Sequence, residues 1–356
     1  GLEVLLVDKE SFPRDKICGD AIPGPSFKAM DKINPEWGKQ MRSFLDKEDV
    51  RTAKGIAPNG KSISIDWVTY SYNSKRLDFD NFLMDLVKKE TDTTIMENSR
   101  LQKVVSDENQ VECTFKDGKT ITSDIVIACD GANSVVSRQL ANFDKKNGSS
   151  SVAVRAYFKN IKGMESGVNE FHFFKEFMPG YFWIFPLENG WANVGFGLLQ
   201  GVKKRNTSTK NLREALTKIT QEIPSVAERF QGAELMDNVK GFGLPLAMKK
   251  RKLSGNRFML CGDAGSLIDP LWGHGIDKAM WSGIFAAEEA KRSFSRLDFS
   301  ADSLVGYDNS LYQKLGPELS RNTKILQLFG MFPFALNPMF VVAQNKWVMK
   351  MVGRYL

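Results

Sequence analysis

The chain has 356 residues, 42% apolar and 26% charged, enough for two compact domains and too apolar for a disordered chain. Its 49 Lys and Arg exceed its 42 Asp and Glu by seven. That surplus is scattered in small clusters (Lys145-Lys146, Lys203–Arg205, Lys249–Lys252), so it reads as solvated surface, and no aromatic-interleaved basic stripe points to nucleic acid. Four cysteines (Cys18, Cys113, Cys129, Cys261) and two histidines (His172, His274) exclude a disulfide framework, a metal-ligand spacing and a Ser-His-Asp triad. A reducing cytoplasm fits that cysteine usage. The run Ile325–Val342 is strongly apolar but broken by Pro333, Asn337 and Pro338, which predicts short buried helices, with contact to a membrane surface as the second reading.

In chain order, Gly1–Lys9 reads as a glycine turn and a buried parallel strand ending on an acid, Asp8. In a dinucleotide-binding unit such an acid holds the adenosine ribose. A first strand, a G-x-G-x-x-G turn and a helix are expected before it, within ~30 residues, so the chain is expected to open partway into that unit. Ser11–Pro25 is a Pro- and Gly-rich loop carrying Arg14, Lys16 and the lone thiol Cys18. Ser26–Leu45 is helical with a break at Pro35. Thr52–Ser71 is β-rich, turning at Pro58-Asn59-Gly60 and setting Ile63, Ile65 and Trp67 on one face. Arg76–Leu83 opens a helix with Asp80 near its N-terminus. Strands follow at Thr94–Met96, Gln110–Phe115 and Thr120–Thr122, and the buried strand Asp124–Cys129 runs into the turn Asp130-Gly131-Ala132-Asn133-Ser134.

From Ser149 to Leu246 aromatics and alternation dominate, which predicts an antiparallel sheet. In Gly180–Pro186, alternation puts Tyr181, Trp183 and Phe185 on one face, a wall that suits a long apolar ligand. A helix is expected over Leu212–Ile223, and Gly241–Pro245 is read as the chain's return to the first domain. The densest signal is Cys261–Gly283. Arg257–Leu260 is a short buried strand running into Gly262-Asp263, an acid on a glycine turn. A loop with Gly273-His274-Gly275 follows, and helical spacing starts at Ile276. A carboxylate there can accept a sugar hydroxyl, and first-turn N–H groups offer positive partial charge to an electron-rich ring. Beyond Ser293 the chain is helical.

Several of these stretches together carry a family resemblance. Cys261–Gly283 resembles the second FAD fingerprint of flavoproteins with the p-hydroxybenzoate hydroxylase fold. The run Pro13–Gly19, Arg76 with Asp80 and Leu83, Asp130–Ser134, and Tyr181–Pro186 followed by Asn193–Gly197 look most like the geranylgeranyl reductase family. The resemblance covers about residues 1–290. It implies an α/β protein: an FAD-binding parallel-sheet, Rossmann-like domain (1–52, 76–148, 247–292), an inserted antiparallel-sheet substrate domain (53–75, 149–246) and a helical C-terminal region (293–356). It assigns FAD contacts to Asp8, Arg14, Cys18, Arg76, Asp130, Gly262, Asp263, Gly273, His274, Gly275 and Ile276. Asp263 is placed on the ribityl chain and Gly273–Ile276 by the flavin's pyrimidine edge; His274 stands where relatives often carry Glu. It sets Tyr181, Trp183 and Phe185 on the substrate cavity, Cys18 beside both, and no metal. The implied activity is hydride delivery from reduced FAD to a carbon–carbon double bond of an isoprenoid or other apolar substrate, with NAD(P)H a candidate electron donor and no single side chain standing out as the acid. The rivals are an FAD-dependent monooxygenase of an aromatic or polyketide-like substrate and a non-catalytic lipid-binding remnant. A halogenase fits less well, since its W-x-W-x-I-P motif places Trp at Tyr181 and Ile at Phe185.

Overall fold

A computed structural model describes residues 1–143, 150–178, 180–199 and 211–331. The first strand, β1 (Leu5–Val7), leads through the Pro-rich loop to β2 (Ala21–Ile22) and two helices, α1 (Gly24–Ile33) and α2 (Pro35–Ser43). Asn34 makes the break between them. Its N–H closes α1 on the Met30 carbonyl, and its side chain accepts the Glu36 N–H at 2.9 Å to cap α2, while Pro35 fits the first helical position. β3 (Glu48–Ile56) and β4 (Ser62–Asn73) form the expected hairpin, with Gly60 at φ +80° in its turn, and α3 (Arg76–Glu90) returns to β5 (Thr94–Met96). Then come the meander β6 (Leu101–Ser106), β7 (Val111–Phe115) and β8 (Thr120–Ser123), and β9 (Val126–Ala128) with the short α4 (Val135–Gln139).

The next stretch is β10 (Ser150–Lys159), β11 (Val168–His172), β12 (Gly180–Pro186), β13 (Trp191–Leu199), α5 (Leu212–Glu222), α6 (Pro224–Phe230), β14 (Glu234–Leu235) and β15 (Lys240–Pro245). The chain closes with β16 (Ser254–Gly255), β17 (Phe258–Leu260), α7 (Ile276–Arg296) and α8 (Ala301–Met331). Beyond Met331 the apolar C-terminal run lies outside the described residues, as do Lys145-Lys146 and Lys203–Arg205. Among the described residues no helix is long and apolar enough to cross a membrane.

Four sheets result. β1 pairs in parallel with β5, and β17 in parallel with β9, with β16 antiparallel at its side. β6–β7–β8 is a separate antiparallel meander. The largest sheet has nine strands, ordered β14-β10-β13-β12-β11-β3-β4-β2, with β15 also on β10. Gly241–Pro245, read as the last stretch of the antiparallel region before the chain returns to the first domain, is a strand of this sheet: it pairs with β10 from Lys240↔Arg155 to Pro245↔Ser150. The return to the parallel body comes one residue later, where Leu246 bridges in parallel to Ile268.

Strand alternation gives the large sheet two faces. Val154, Phe182, Ile184, Val194 and Phe196 point to one face and pack on Ala215, Leu216 and Ile219 of α5, a fully apolar core. The other face carries Arg155, Tyr157, Asn193 and the aromatic wall, by the register Tyr157↔Asn193 and Phe185↔Asn193. A second core joins β17, α7 and α8 through Met259, Leu267, Ala286, Leu304 and Tyr307. Polar stitches fix α8 to the β16–β17 hairpin: Tyr307 donates to the Leu260 carbonyl at 2.6 Å and Asp308 accepts the Leu253 N–H at 2.7 Å. The first strand is less buried than its apolar run suggests. Leu2, Val4 and Leu5 are exposed, because β1 has a single strand neighbour, β5, among the described residues.

Candidate functional site

The site is best built from the aromatic wall outward. Tyr181, Trp183 and Phe185 lie in a row on one face of β12, with ring centroids 5.8 and 6.0 Å apart, and Phe171 of β11 packs on both ends of the row. Glycines on β13 make room for them. Opposite Trp183 stands Gly195, where a Cβ would sit 2.2 Å from the indole and 2.5 Å from the Val154 carbonyl oxygen. The indole is also fixed at its edge, donating from Nε1 to Asn193 Oδ1 at 2.9 Å.

Asn193 connects this wall to the turn Cys18-Gly19-Asp20. Its Nδ2 donates to the Cys18 carbonyl at 2.8 Å and to Asp20 Oδ2 at 2.9 Å. Tyr157 donates to the same Asp20 oxygen at 2.7 Å, and Gly19 packs where its Cβ would touch the Phe185 ring at 3.5 Å. Asp20 is fully buried, with φ +65° and, among the described residues, no hydrogen-bond partner at Oδ1. Burial pushes its pKa up to about 6 against the two hydrogen bonds from Asn193 and Tyr157 that favour the carboxylate. The sequence reading passed over Asp20; the available signal was an acid directly after a Cys-Gly turn.

A second loop meets the wall at its other end. Tyr181 donates to the Trp272 carbonyl at 3.1 Å, and Gly273, at φ +72°, leaves only 3.3 Å between a would-be Cβ and that hydroxyl. The buried Asp269 shapes this loop. Its Oδ1 accepts the Leu271 and Trp272 N–H groups at 2.9 and 2.8 Å, its Oδ2 accepts the Asn322 amide of α8 at 2.7 Å, and its own N–H donates to the His274 carbonyl. The loop delivers Gly275 to the start of α7, where no side chain among the described residues caps the helix and the first-turn N–H groups are available. His274 Nδ1 lies 2.8 Å from Asp277 Oδ1, and Asp277 is paired with Lys278.

Gly262 and Asp263 lie beneath that helix start. Gly262 has φ +53°, and a Cβ on it would press on Ala279 at 2.9 Å. Gly275 is packed so that its Cβ would reach Asp263 Oδ1 at 3.5 Å. The Asp263 carboxylate has one partner among the described residues, a long ion pair of 3.9 Å to Lys16. Asp130 follows the end of β9 as Asp263 follows the end of β17, which sets both acids beyond the C-terminal ends of two paired parallel strands. Asp130 is exposed and accepts the Val135 N–H at 2.7 Å.

The remaining predicted contacts form a chain of ions. Asp8 pairs with Arg14 at 3.2 Å, Arg14 with Asp80 at 2.9 Å, and Arg76 with Asp80 at 2.6 Å. Asp80, expected near the N-terminus of its helix, lies one turn in from the first residue, Arg76, and is spent on these two arginines. Arg76 also reaches the Cys18 thiol. So the structure joins Lys16, Cys18, Asp263, Gly273–Ile276 and the wall through direct contacts, and holds Asp8, Arg14 and Arg76 in a network that touches them at Cys18. Asp269, His274 and Glu318 bring ligand atoms within 4.8 Å of one another. The Lys278 ammonium, 3.0 Å from Glu318, supplies a cation there already. An open groove of about 770 Å³ by α2, lined by Lys47, Glu48, Asp49, Arg51 and Glu188, includes none of the residues above.

These groups suit FAD. A carboxylate short of partners can take ribityl hydroxyls, and an uncapped helix N-terminus behind glycines suits the pyrimidine oxygens. A family model described as an FAD binding domain matches residues 51–284, more than half of the chain, and the class is that of the FAD-dependent oxidoreductases. Digeranylgeranylglycerophospholipid reductase of Methanococcus vannielii is 30% identical over 321 residues, covering 88% of this chain and 77% of that protein. Menaquinone reductase of Mycobacterium tuberculosis is 27% identical over 299 residues, covering 81% and 70%. The chain belongs to the FAD binding domain family and, within it, to the geranylgeranyl reductases. In fold it matches a geranylgeranyl bacteriochlorophyll reductase-like protein of Thermoplasma acidophilum, with TM-score 0.77, 22% identity, and 92% and 82% of the two chains covered. It also matches the halogenase PltM in complex with phloroglucinol and FAD, with TM-score 0.74, 15% identity, and 100% and 81% covered.

Proposed function

We propose that this protein saturates carbon–carbon double bonds in the isoprenoid chain of a lipid or quinone. The observation that carries the reading is the aromatic wall, which is tied at one end to the Cys18–Asp20 turn and at the other to the loop before α7. FAD supplies the hydride when bound and reduced. Asp263 would accept hydrogen bonds from ribityl hydroxyls and the N–H groups at Gly275 and Ile276 would serve the pyrimidine edge, while Gly262 and Gly273 let Ala279 and Tyr181 pack against these turns. Asp130, at the next strand end, serves the ribityl–pyrophosphate part. Asp8 holds the adenosine ribose, and Arg14 orients Asp8. Arg76, held by Asp80, keeps Cys18 and its turn in place beside the cofactor.

Tyr181, Trp183 and Phe185 line the substrate side. Their rings exclude water and align a methyl-branched apolar chain without demanding one chain length. The substrate domain is the large sheet with α5 and α6, and the FAD domain is the parallel body with α3 and α7. The two named relatives support the substrate class, since one is a reductase of a geranylgeranylated phospholipid and the other of menaquinone. The test is anaerobic incubation of the full-length, chemically reduced protein with geranylgeranyl lipid and with menaquinone, followed by mass spectrometry. The reading expects products gaining H2 per reduced bond. An oxygenated product formed only with O2, and no hydrogenated one, contradicts it in favour of a monooxygenase.

A further inference from the structure

The loop before α7 contains a charged cluster that the proposed chemistry has not used. His274 is its partly open member, with 25% of its side chain exposed, while Asp277 and Lys278 behind it are each 1% exposed. Every element around the imidazole contributes a charge or a dipole. From its own loop comes Asp269, from α7 come Asp277 at 2.8 Å and Lys278, and from α8 come Glu318, with a ligand atom within 4.8 Å, and Asn322, which holds Asp269. Three carboxylates face one ammonium. With a neutral imidazole this group, of which Glu318 is the part reaching solvent, carries a net charge of two negatives, and with an imidazolium it carries one.

Burial opposes the charged imidazole, but Asp277 outweighs it, both through its charge and through its hydrogen bond, and the pKa of His274 lies above its ordinary value. Asp277 in turn is held well below the carboxylate range: burial opposes its charge, and His274 and Lys278 overcome that. The cluster is thus preset to keep a proton on His274.

We infer that His274 is a fixed imidazolium that stabilises the negative charge the flavin acquires on reduction, and so sets the reduction potential of this protein. The inference rests on the flavin lying against Gly273–Ile276, as in the proposed function. Two-electron reduction adds two electrons and one proton to the ring at neutral pH, a net gain of one negative charge. A cation beside it favours that state, and the negative charge in turn raises the affinity of His274 for its proton. His274 acts here through its charge and is a positioning residue for electrons, with no bond made or broken at the imidazole.

The experiment is spectroelectrochemical titration of FAD bound to the full-length protein, from about pH 6 to about pH 10 so as to span the raised histidine range. Wild type should follow one proton per two electrons at low pH and steepen to two protons per two electrons once His274 deprotonates in the oxidised protein. His274→Gln should lose the steeper limb and be harder to reduce at neutral pH by about tenfold in equilibrium constant, which is ~30 mV for a two-electron couple. His274→Lys should restore the neutral-pH potential without the steeper limb. A wild-type line with no break, or one coinciding with His274→Gln while both proteins hold FAD, overturns the inference. The wild-type break decides the matter even where a variant fails to fold. A wild type that takes up no FAD contradicts the flavin reading itself, and this inference falls with it.

Discussion

Asp20 illustrates how much a single side chain can be set against its own preference. Its carboxyl is fully buried with one oxygen unpartnered, and its folded pKa is about 6 against an ordinary 3.8. Well below pH 3.8, folded and unfolded chains are both protonated and the residue is nearly neutral to stability. As pH rises toward 6 the unfolded chain ionises first, so stability falls, and above 6 the loss levels off at about 3 kcal/mol. Asp20→Asn keeps an acceptor for Tyr157 and Asn193, so it should be more stable than wild type in urea at pH 7 and approach it at a pH well below 3.8. Parallel behaviour at both pH values contradicts this. Gly195→Ala is the second residue-scale expectation. The methyl meets the Trp183 indole and the Val154 carbonyl at once, so overpacking should cost about 1–3 kcal/mol in a denaturant titration. A neutral outcome means the indole does not lie over β13. Individual residues were legible in the sequence where a glycine or acid stood at a strand end, as at Gly262-Asp263. Asp20 was not, because its meaning lies in Tyr157 and Asn193, well over a hundred residues away.

Elements were easier to read when their periodicity was long and one-sided. β12, β13, α5 and α7 lie where alternation and helical spacing put them, and α7 starts at Ile276 as expected. β6 and α6 went unread. β6 is short with a polar, mixed burial pattern, and α6 follows α5 directly across Ile223 and Pro224, so its pattern merges with its neighbour's. β15 lies within the stretch Ser149–Leu246 read as antiparallel sheet, but Gly-x-Gly-x-Pro reads as a connection, and only its pairing with β10 makes it a strand. What joins elements is testable at one bond. Tyr181→Phe removes the donor to the Trp272 carbonyl and leaves the ring stack intact. It should cost about 0.5–1.5 kcal/mol and increase the FAD dissociation rate, read by fluorescence of released flavin. Faster release without a matching loss of stability assigns the bond to the loop; no change in either shows that the wall and loop are held independently.

For the whole molecule, two kinds of sheet meet along a seam that is polar rather than apolar. Arg155 of β10, 1% exposed, pairs with Asp15 at 2.9 Å and Asp237 at 2.6 Å, and Lys240 joins Asp15 at 2.9 Å. The pair of networks there, this one and Asp8–Arg14–Asp80–Arg76, fixes the Pro-rich loop between the parallel body and the wall. Ion pairs of that kind specify geometry more than they add stability, since desolvation offsets much of their attraction. The division into a parallel body and an aromatic sheet was readable from composition and alternation. The seam was not, because opposite charges far apart in sequence carry no local pattern. Function then follows from where the seam sets the two loops: one at each end of the row Tyr181, Trp183 and Phe185. The most direct test of that arrangement is FAD titration of the full-length protein and of Asp263→Asn, followed by the visible flavin band and by fluorescence. Wild type should take up one FAD per chain, and Asp263→Asn should bind at least about tenfold more weakly while keeping the same fold, the loss expected for a hydrogen bond to a charged group. Equal affinity in the two proteins, or a correctly folded wild type that stays colourless with FAD in excess, would contradict it.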